Sequence, residues 1–203
     1  MRQFLIEEIK TWERIYRANF INCLTGFKPV SLVGSISSIG VPNLSIVSSI
    51  VHLGADPALI GYINRPIAAA PDTITNIEHT KCYTINHIKE SFLHQAHQCS
   101  AKYLPEVNEF EVTRLTERYE DGIIAPFVKE ALVSYEMELV EISPIHYNNT
   151  FFVIGRLKSV YLEESIVAAD GFLDLSKAGS IVSIGLDGYA KTEMITRLPY
   201  AKQ

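Results

Sequence analysis

The chain has 203 residues, with 18 Lys and Arg against 23 Asp and Glu, a formal net charge of −5. That excess of acid, spread without a basic tract, argues against a nucleic-acid surface or an anionic-membrane surface. Hydrophobic residues make up 47 % and charged residues 20 %, which excludes a disordered chain and leaves enough apolar material for a sizeable core.

Taken in chain order, the first element is an N-terminal helix over residues 5–20. Leu5, Ile9, Trp12, Ile15 and Tyr16 recur at helical spacing, and acids interrupt what a signal peptide would keep apolar. The helix is expected to lie as a lid over one end of the fold.

The next stretch, Val30 to Ile77, organises the chain. From Pro29 to Ala55 it holds no Lys, Arg, Asp or Glu, and Arg65 is the only Lys or Arg between Lys28 and Lys81. Val41 to Ile63 is long enough to span a bilayer, but Pro42, Asn43, His52, Asp56 and Pro57 interrupt it. Strands are the better reading. Val30 to Ile36 alternates, and Ser38-Ile39-Gly40-Val41 makes a turn in which Gly40 can take a positive φ. Asn43 to Leu53 reads as a second strand and Ala58 to Asn64 as a third, with Gly54-Ala55-Asp56-Pro57 between them. Arg65-Pro66 ends that strand. Asp72 is expected to cap a short helix running through Ile77.

Cys82 to His87 then reads as a strand, and Glu90 to Lys102 as a helix buried through Phe92, Leu93, Ala96 and Cys99. Tyr103 to Phe127, with Pro105 and several acids, has no period and reads as an excursion near a cavity mouth. Ala131 to Ile142 alternates as a half-exposed strand. Asn148-Asn149 makes a turn into a strand over Thr150 to Leu162, and a short strand follows at Ile181 to Ile184. The expected architecture is mainly β with helices: a single domain over residues 1–203 built on six strands of a small closed β-barrel.

Three cysteines, Cys23, Cys82 and Cys99, read as reduced thiols and point to the cytoplasm. His94 and His97 lie three apart on one helix, yet lack a partner motif, so no metal site is expected. There is no G-x-G-x-x-G after a strand, no P-loop and no nucleophile elbow, so neither a Rossmann nicotinamide site nor a hydrolase site is expected.

The ordered set Gly40-Val41-Pro42-Asn43-Leu44-Ser45, Ser48-Ser49, Asp56-Pro57, Asp72-Thr73 with Asn76-Ile77, Tyr83-Thr84-Ile85-Asn86, His97 to Tyr103, Asn108-Glu109-Phe110 and Gly185 to Tyr189 resembles the flavin reductase-like family. The resemblance implies an FMN-binding split β-barrel of Greek-key-like connectivity, a homodimer, and a flavin near the subunit interface. It implies Asn43, Ser45, Ser48, Ser49, Arg65, Thr73, Asn76, His97, Ser100 and Lys102 as cofactor-binding residues. Of these, Arg65 offers a fork of donors to the FMN phosphate, aided by hydroxyls and by N–H groups at the helix start near Asp72. The implied activity is transfer of hydride from NADH or NADPH to FMN, with no catalytic acid or base assigned. A non-enzymatic FMN-binding electron carrier of the flavoredoxin type is the alternative.

Overall fold

In the computed structural model, which describes residues 1–202, the chain builds a seven-stranded antiparallel sheet flanked by short helices. The N-terminal segment forms two helices, α1 (Ile6–Thr11) and α2 (Arg14–Cys23). The single helix expected over 5–20 is broken between Thr11 and Arg14, because Glu13 leaves the helix and caps the second one, accepting from the backbone N–H groups of Ile15 and Tyr16. Its apolar face covers little of the sheet. Ile9 is buried, but Leu5, Ile15 and Tyr16 are more than half exposed, at 56 %, 60 % and 61 %. Trp12 packs edge-to-face on Phe4, Tyr16 and Phe20 instead.

Strand β1 (Lys28–Pro29) is followed by β2 (Ser31–Ile36), β3 (Pro42–Val47), β4 (Val51–Ala55) and β5 (Ala58–Asn64). Gly40 takes φ +85° in the β2–β3 turn, as the sequence suggests. The run expected as one strand from Asn43 to Leu53 is two, β3 and β4, divided at Ser48–Ile50. Helix α3 (Pro71–Thr80) follows, then β6 (Cys82–His87), a 3-10 turn, and α4 (Leu93–Gln98). The helix expected over Glu90–Lys102 is thus shorter at both ends, and Ser100 and Lys102 follow it. The stretch read as irregular contains α5 (Glu109–Thr113), β7 (Glu117–Arg118) and, at its end, β8 (Phe127–Val128). Two 13-residue strands come next, β9 (Val133–Ile145) and β10 (Thr150–Leu162), then β11 (Ile181–Ile184) and β12 (Gly188–Lys191).

The large sheet runs β3-β2-β6-β9-β10-β5-β4, and β1, β11 and β12 form a separate three-stranded sheet. The sheet's terminal strands, β3 and β4, are consecutive in the chain. Where they part, Ser49 reaches β5: its hydroxyl donates to the Ile63 carbonyl and accepts from the Ile63 N–H, at 3.2 and 3.0 Å. One side chain thereby replaces a rung of the ladder at the seam of a split barrel.

The barrel interior is apolar. Val33, Ile77, Tyr83, Ile85, Met137 and Val153 are buried together with Tyr62. Gly155 is required there: a Cβ would fall 2.1 Å from the Tyr83 hydroxyl and 2.9 Å from Met137 Cε. A second cluster, including Leu32, Leu44, Phe92, Phe110 and Val128, packs the helices and β8 onto the sheet. Asn86 holds β8 there, accepting from the Val128 N–H at 2.9 Å. The short β11–β12 hairpin pairs with β1, which brings Gly185 and Leu186 back beside α2.

Candidate functional site

Ser35 and Asn43 face each other across the β2–β3 ladder. Side chains in register on one face are neighbours, and here they start a buried polar network. The Asn43 carbonyl oxygen accepts from Ser35 Oγ and from Thr73 Oγ1, each at 3.0 Å. Its amide donates to Glu109 Oε1 at 2.8 Å, and Asn76 of α3 donates to Ser35 Oγ at 3.2 Å. The other Glu109 oxygen accepts from the Leu44 N–H at 3.2 Å. Three elements, the β2–β3 hairpin, α3 and α5, are therefore joined through buried polar groups.

A cavity of about 490 Å³ opens above this network, a size typical of a small-molecule site. One wall comes from β3 and its exit, Asn43 to Ser49, and another from Arg65 and the small residues Ala68, Ala69 and Ala70. The start of α3 supplies Pro71, Asp72 and Thr73. Ser100, Lys102 and Tyr103 approach from the segment after α4, Glu109 from α5, and Asn22, Gly185 and Leu186 from the N-terminal and C-terminal segments.

The cavity is electrically divided. Arg65 and Lys102 line it, are both exposed, and have no salt-bridge partner among the described residues. Asp72 and Glu109 are its carboxylates. Burial pushes Glu109 up to about 7, with the nearby Asp72 charge adding to the rise and the hydrogen bonds from Leu44 and Asn43 opposing it. Burial likewise raises Asp72. Cys99, also in the wall, is driven up to about 12 by burial and by the Glu109 charge, and is held as a thiol.

Of the ten residues proposed from sequence, eight line this cavity: Asn43, Ser45, Ser48, Ser49, Arg65, Thr73, Ser100 and Lys102. Three of the eight have their polar atoms engaged. Asn43 and Thr73 are held in the buried network, and Ser49 is spent on the β5 backbone. Asn76 lines a second cavity of about 390 Å³ on the far side of the network. His97 lies outside both cavities, 2.8 Å from the Tyr189 hydroxyl. Asp72 does not cap α3: Ala70 occupies that position, Pro71 opens the helix, and the carboxylate lies in the first turn, at the wall of both cavities. Sequence reasoning missed Glu109 as a site residue. Its one signal was its place in Asn108-Glu109-Phe110, within a stretch lacking periodicity.

Comparison with known proteins gives the family and the fold. A family model described as the flavin reductase like domain matches residues 27–174. The solved structure of a split-barrel-domain protein of Shewanella frigidimarina, a flavin reductase by inferred assignment, superposes with a TM-score of 0.96 at 45 % identity, covering 99 % of this chain and 100 % of that one. Component B of the nitrilotriacetate monooxygenase of Bacillus cereus gives a TM-score of 0.85 at 22 % identity over 98 % of each chain. The FMN-binding protein of Thermus thermophilus gives 0.69 at 18 % identity, over 85 % of this chain and 90 % of that one. The last two likenesses are of fold alone.

Proposed function

The chain belongs to the flavin reductase-like domain family, and from that premise we propose that its larger cavity binds FMN and that the protein passes to it a hydride from NADH or NADPH. The observation that carries this reading is the pairing, in one cavity, of two unpaired cations with an apolar and hydroxyl-rich wall. Arg65 and Lys102 supply the charge, Ile46, Val47 and Ala68–Ala70 the apolar surface, and Ser45, Ser48 and Ser100 the free hydroxyls.

FMN needs such a division, since it joins a flat ring system to a dianionic phosphate. Arg65 presents a planar fork suited to phosphate oxygens, and Lys102 adds a point charge. The first N–H groups of α3 are unpaired by helix geometry and favour an anion. The small side chains of Ala68, Ala69 and Ala70 let a ligand approach the backbone before that helix. Ser45, Ser48 and Ser100 fit the hydroxylated chain between phosphate and ring. FMN, when bound, supplies the capacity to accept and release hydride; the protein's part is binding, orientation and exclusion of water.

The protein is a homodimer in this reading, and the exposed apolar side chains Leu5, Ile15, Tyr16 and Phe27 offer surface for that contact. Residues 1–203 act as one domain. The three cysteines, all free, fit a reducing cytoplasm.

The test is anaerobic addition of NADH and of NADPH to the FMN-loaded protein, followed by absorption. Bleaching of the flavin band by either is the expected result. Stable FMN binding without bleaching by either would favour an FMN-binding electron carrier over a reductase.

A further inference from the structure

Glu109 stands between two cavities. It is 6 % exposed, and with Asn43, Asp72 and Pro105 it lines both the 490 Å³ cavity and the 390 Å³ cavity behind it. Both of its oxygens are anchored, one by the Asn43 amide and one by the Leu44 N–H. Neither donor carries a full charge. Buried carboxylates are ordinarily paired with a cation; among the described residues Glu109 has no salt-bridge partner, and the charge that acts on it is another acid, Asp72 from α3.

The remaining titratable groups around it come from other elements. The Cys99 thiol approaches from the end of α4. Arg65, Lys102 and Tyr103 line the first cavity, and His79 and Glu106 line the second. The second cavity has a mixed wall, with Ser37, Ser38, Thr75 and Asn76 beside Val41, Val107 and the exposed Ile39 and Leu104. Through it the carboxylate can be approached from the rear, past the hydroxyls of Ser37, Ser38 and Thr75, without crossing the larger cavity.

We propose that Glu109 is a proton-holding residue: it takes up a proton by way of the second cavity when negative charge is added to a ligand in the first, and gives it up when that charge leaves. This rests on the flavin reading above. Hydride transfer moves two electrons and one proton together. A hydride passed from a nicotinamide to a flavin held there would leave the donor cationic and add one negative charge to the first cavity. Glu109 accepts one further proton from water, so that the net charge inside the wall is unchanged. Reoxidation by an acceptor of two electrons reverses both changes. Burial, aided by the Asp72 charge, raises Glu109 to about 7 and poises the group to do this near neutral pH. Glu109 acts as a positioning residue for charge, and no bond to the ligand is required of it.

Two measurements test this on the full-length protein. The first uses flavin-free protein and follows side-chain carboxyl carbons by NMR from pH 4 to 9. One carboxyl titrating near 7 is expected, absent in Glu109→Gln and shifted to lower pH in Asp72→Asn. A midpoint for Glu109 in the ordinary carboxylate range overturns the proposal. So does loss of the neutral titration in Asp72→Asn, which would assign it to Asp72. Should Glu109→Gln fail to fold, the wild-type and Asp72→Asn titrations still decide.

The second follows the midpoint potential of the FMN-loaded protein between pH 6 and 8. One additional proton per two electrons makes reduction tenfold less favourable per pH unit, about 30 mV. The wild-type slope should exceed that of Glu109→Gln by up to this amount, and equal slopes overturn the coupling. Failure of the wild type to bind FMN refutes the flavin reading and the coupling with it. Normal FMN binding with an ordinary Glu109 midpoint refutes the proton-holding role alone.

Discussion

The barrel interior and the cavity floor are both buried and are built on opposite terms. In the interior, Tyr62 and Tyr83 are fully buried, and among the described residues their hydroxyls have no hydrogen-bond partner. Burial raises both tyrosines above their ordinary range and keeps them neutral. At the floor, Ser35, Asn43, Thr73, Asn76 and Glu109 satisfy one another through side-chain bonds of 2.8–3.2 Å. The interior tolerates a stray polar atom because shape decides its packing. The floor holds its polar atoms by reciprocity, so each depends on the others. Specific architecture follows from the second arrangement, since a half-satisfied network is worse than none.

The largest expected effect lies at the floor. Asn43→Ala removes the acceptor of two hydroxyls and the donor to a buried carboxylate. With several groups orphaned at about 1–3 kcal/mol each, the loss should be roughly 3 kcal/mol or more. For a chain of this size that lowers the melting temperature by about 6–12 °C. A loss below about 1 kcal/mol would erase the distinction between the two regions.

The interior should respond to volume instead. Gly155→Ala puts a Cβ against the Tyr83 hydroxyl and should cost about 1–3 kcal/mol through overpacking. Tyr83→Phe removes the clashing atom and should restore part of that stability in the double mutant. Simple additivity of the two changes would show that the contact does not cause the loss.

Acidity separates the two sides in opposite directions. Glu109 sits at about 7 in the folded protein, above the usual value near 4.3. Its contribution is full at low pH and is lost as pH rises from about 4.5 through 7, by at most roughly 3 kcal/mol. His87, half-buried and edge-to-face with Tyr135, is lowered to about 4 by burial. Its contribution is present above about 6.5 and is lost as pH falls through 4. Chemical denaturation across pH should therefore show Glu109→Gln flattening only the neutral limb and leaving the acid limb in place.

The smallest expected effect is Tyr62→Phe, a change of about 0.5 kcal/mol or less in either direction, because no described partner is orphaned. A loss comparable to that of Asn43→Ala would show that the interior, too, depends on a polar network.

The same contrast explains what the sequence makes legible. Strands β5, β6, β10 and β11 fall where β-branched runs and turn residues place them. The break at Ser48–Ile50 does not announce itself, since Ile46, Val47, Ile50 and Val51 continue the apolar run and no Gly or Pro intervenes. The interruption comes from Ser49 bonding across the seam, a tertiary event. Helix α5 is five residues long, too short to show a period. At the site, Arg65 stands out as a lone cation in an uncharged stretch, and it does line the cavity. Asn43 and Thr73 also stand out, but whether a polar side chain faces a ligand or a neighbour depends on partners 30 and 66 residues away. His97 shares a resemblance motif with Ser100 and Lys102, yet the end of α4 turns it toward Tyr189 and away from the cavity.

The central claim is that the cavity binds FMN with its phosphate at Arg65. Fluorescence titration of wild-type protein and Arg65→Ala with FMN and with riboflavin tests it directly. Arg65 is exposed and makes no described salt bridge, so the variant should keep its melting temperature. Loss of a charge-assisted contact of about 1.5–3 kcal/mol should weaken FMN binding roughly 10- to 100-fold and leave riboflavin unchanged. Equal weakening of both ligands, or no FMN binding by the wild type, would contradict the account.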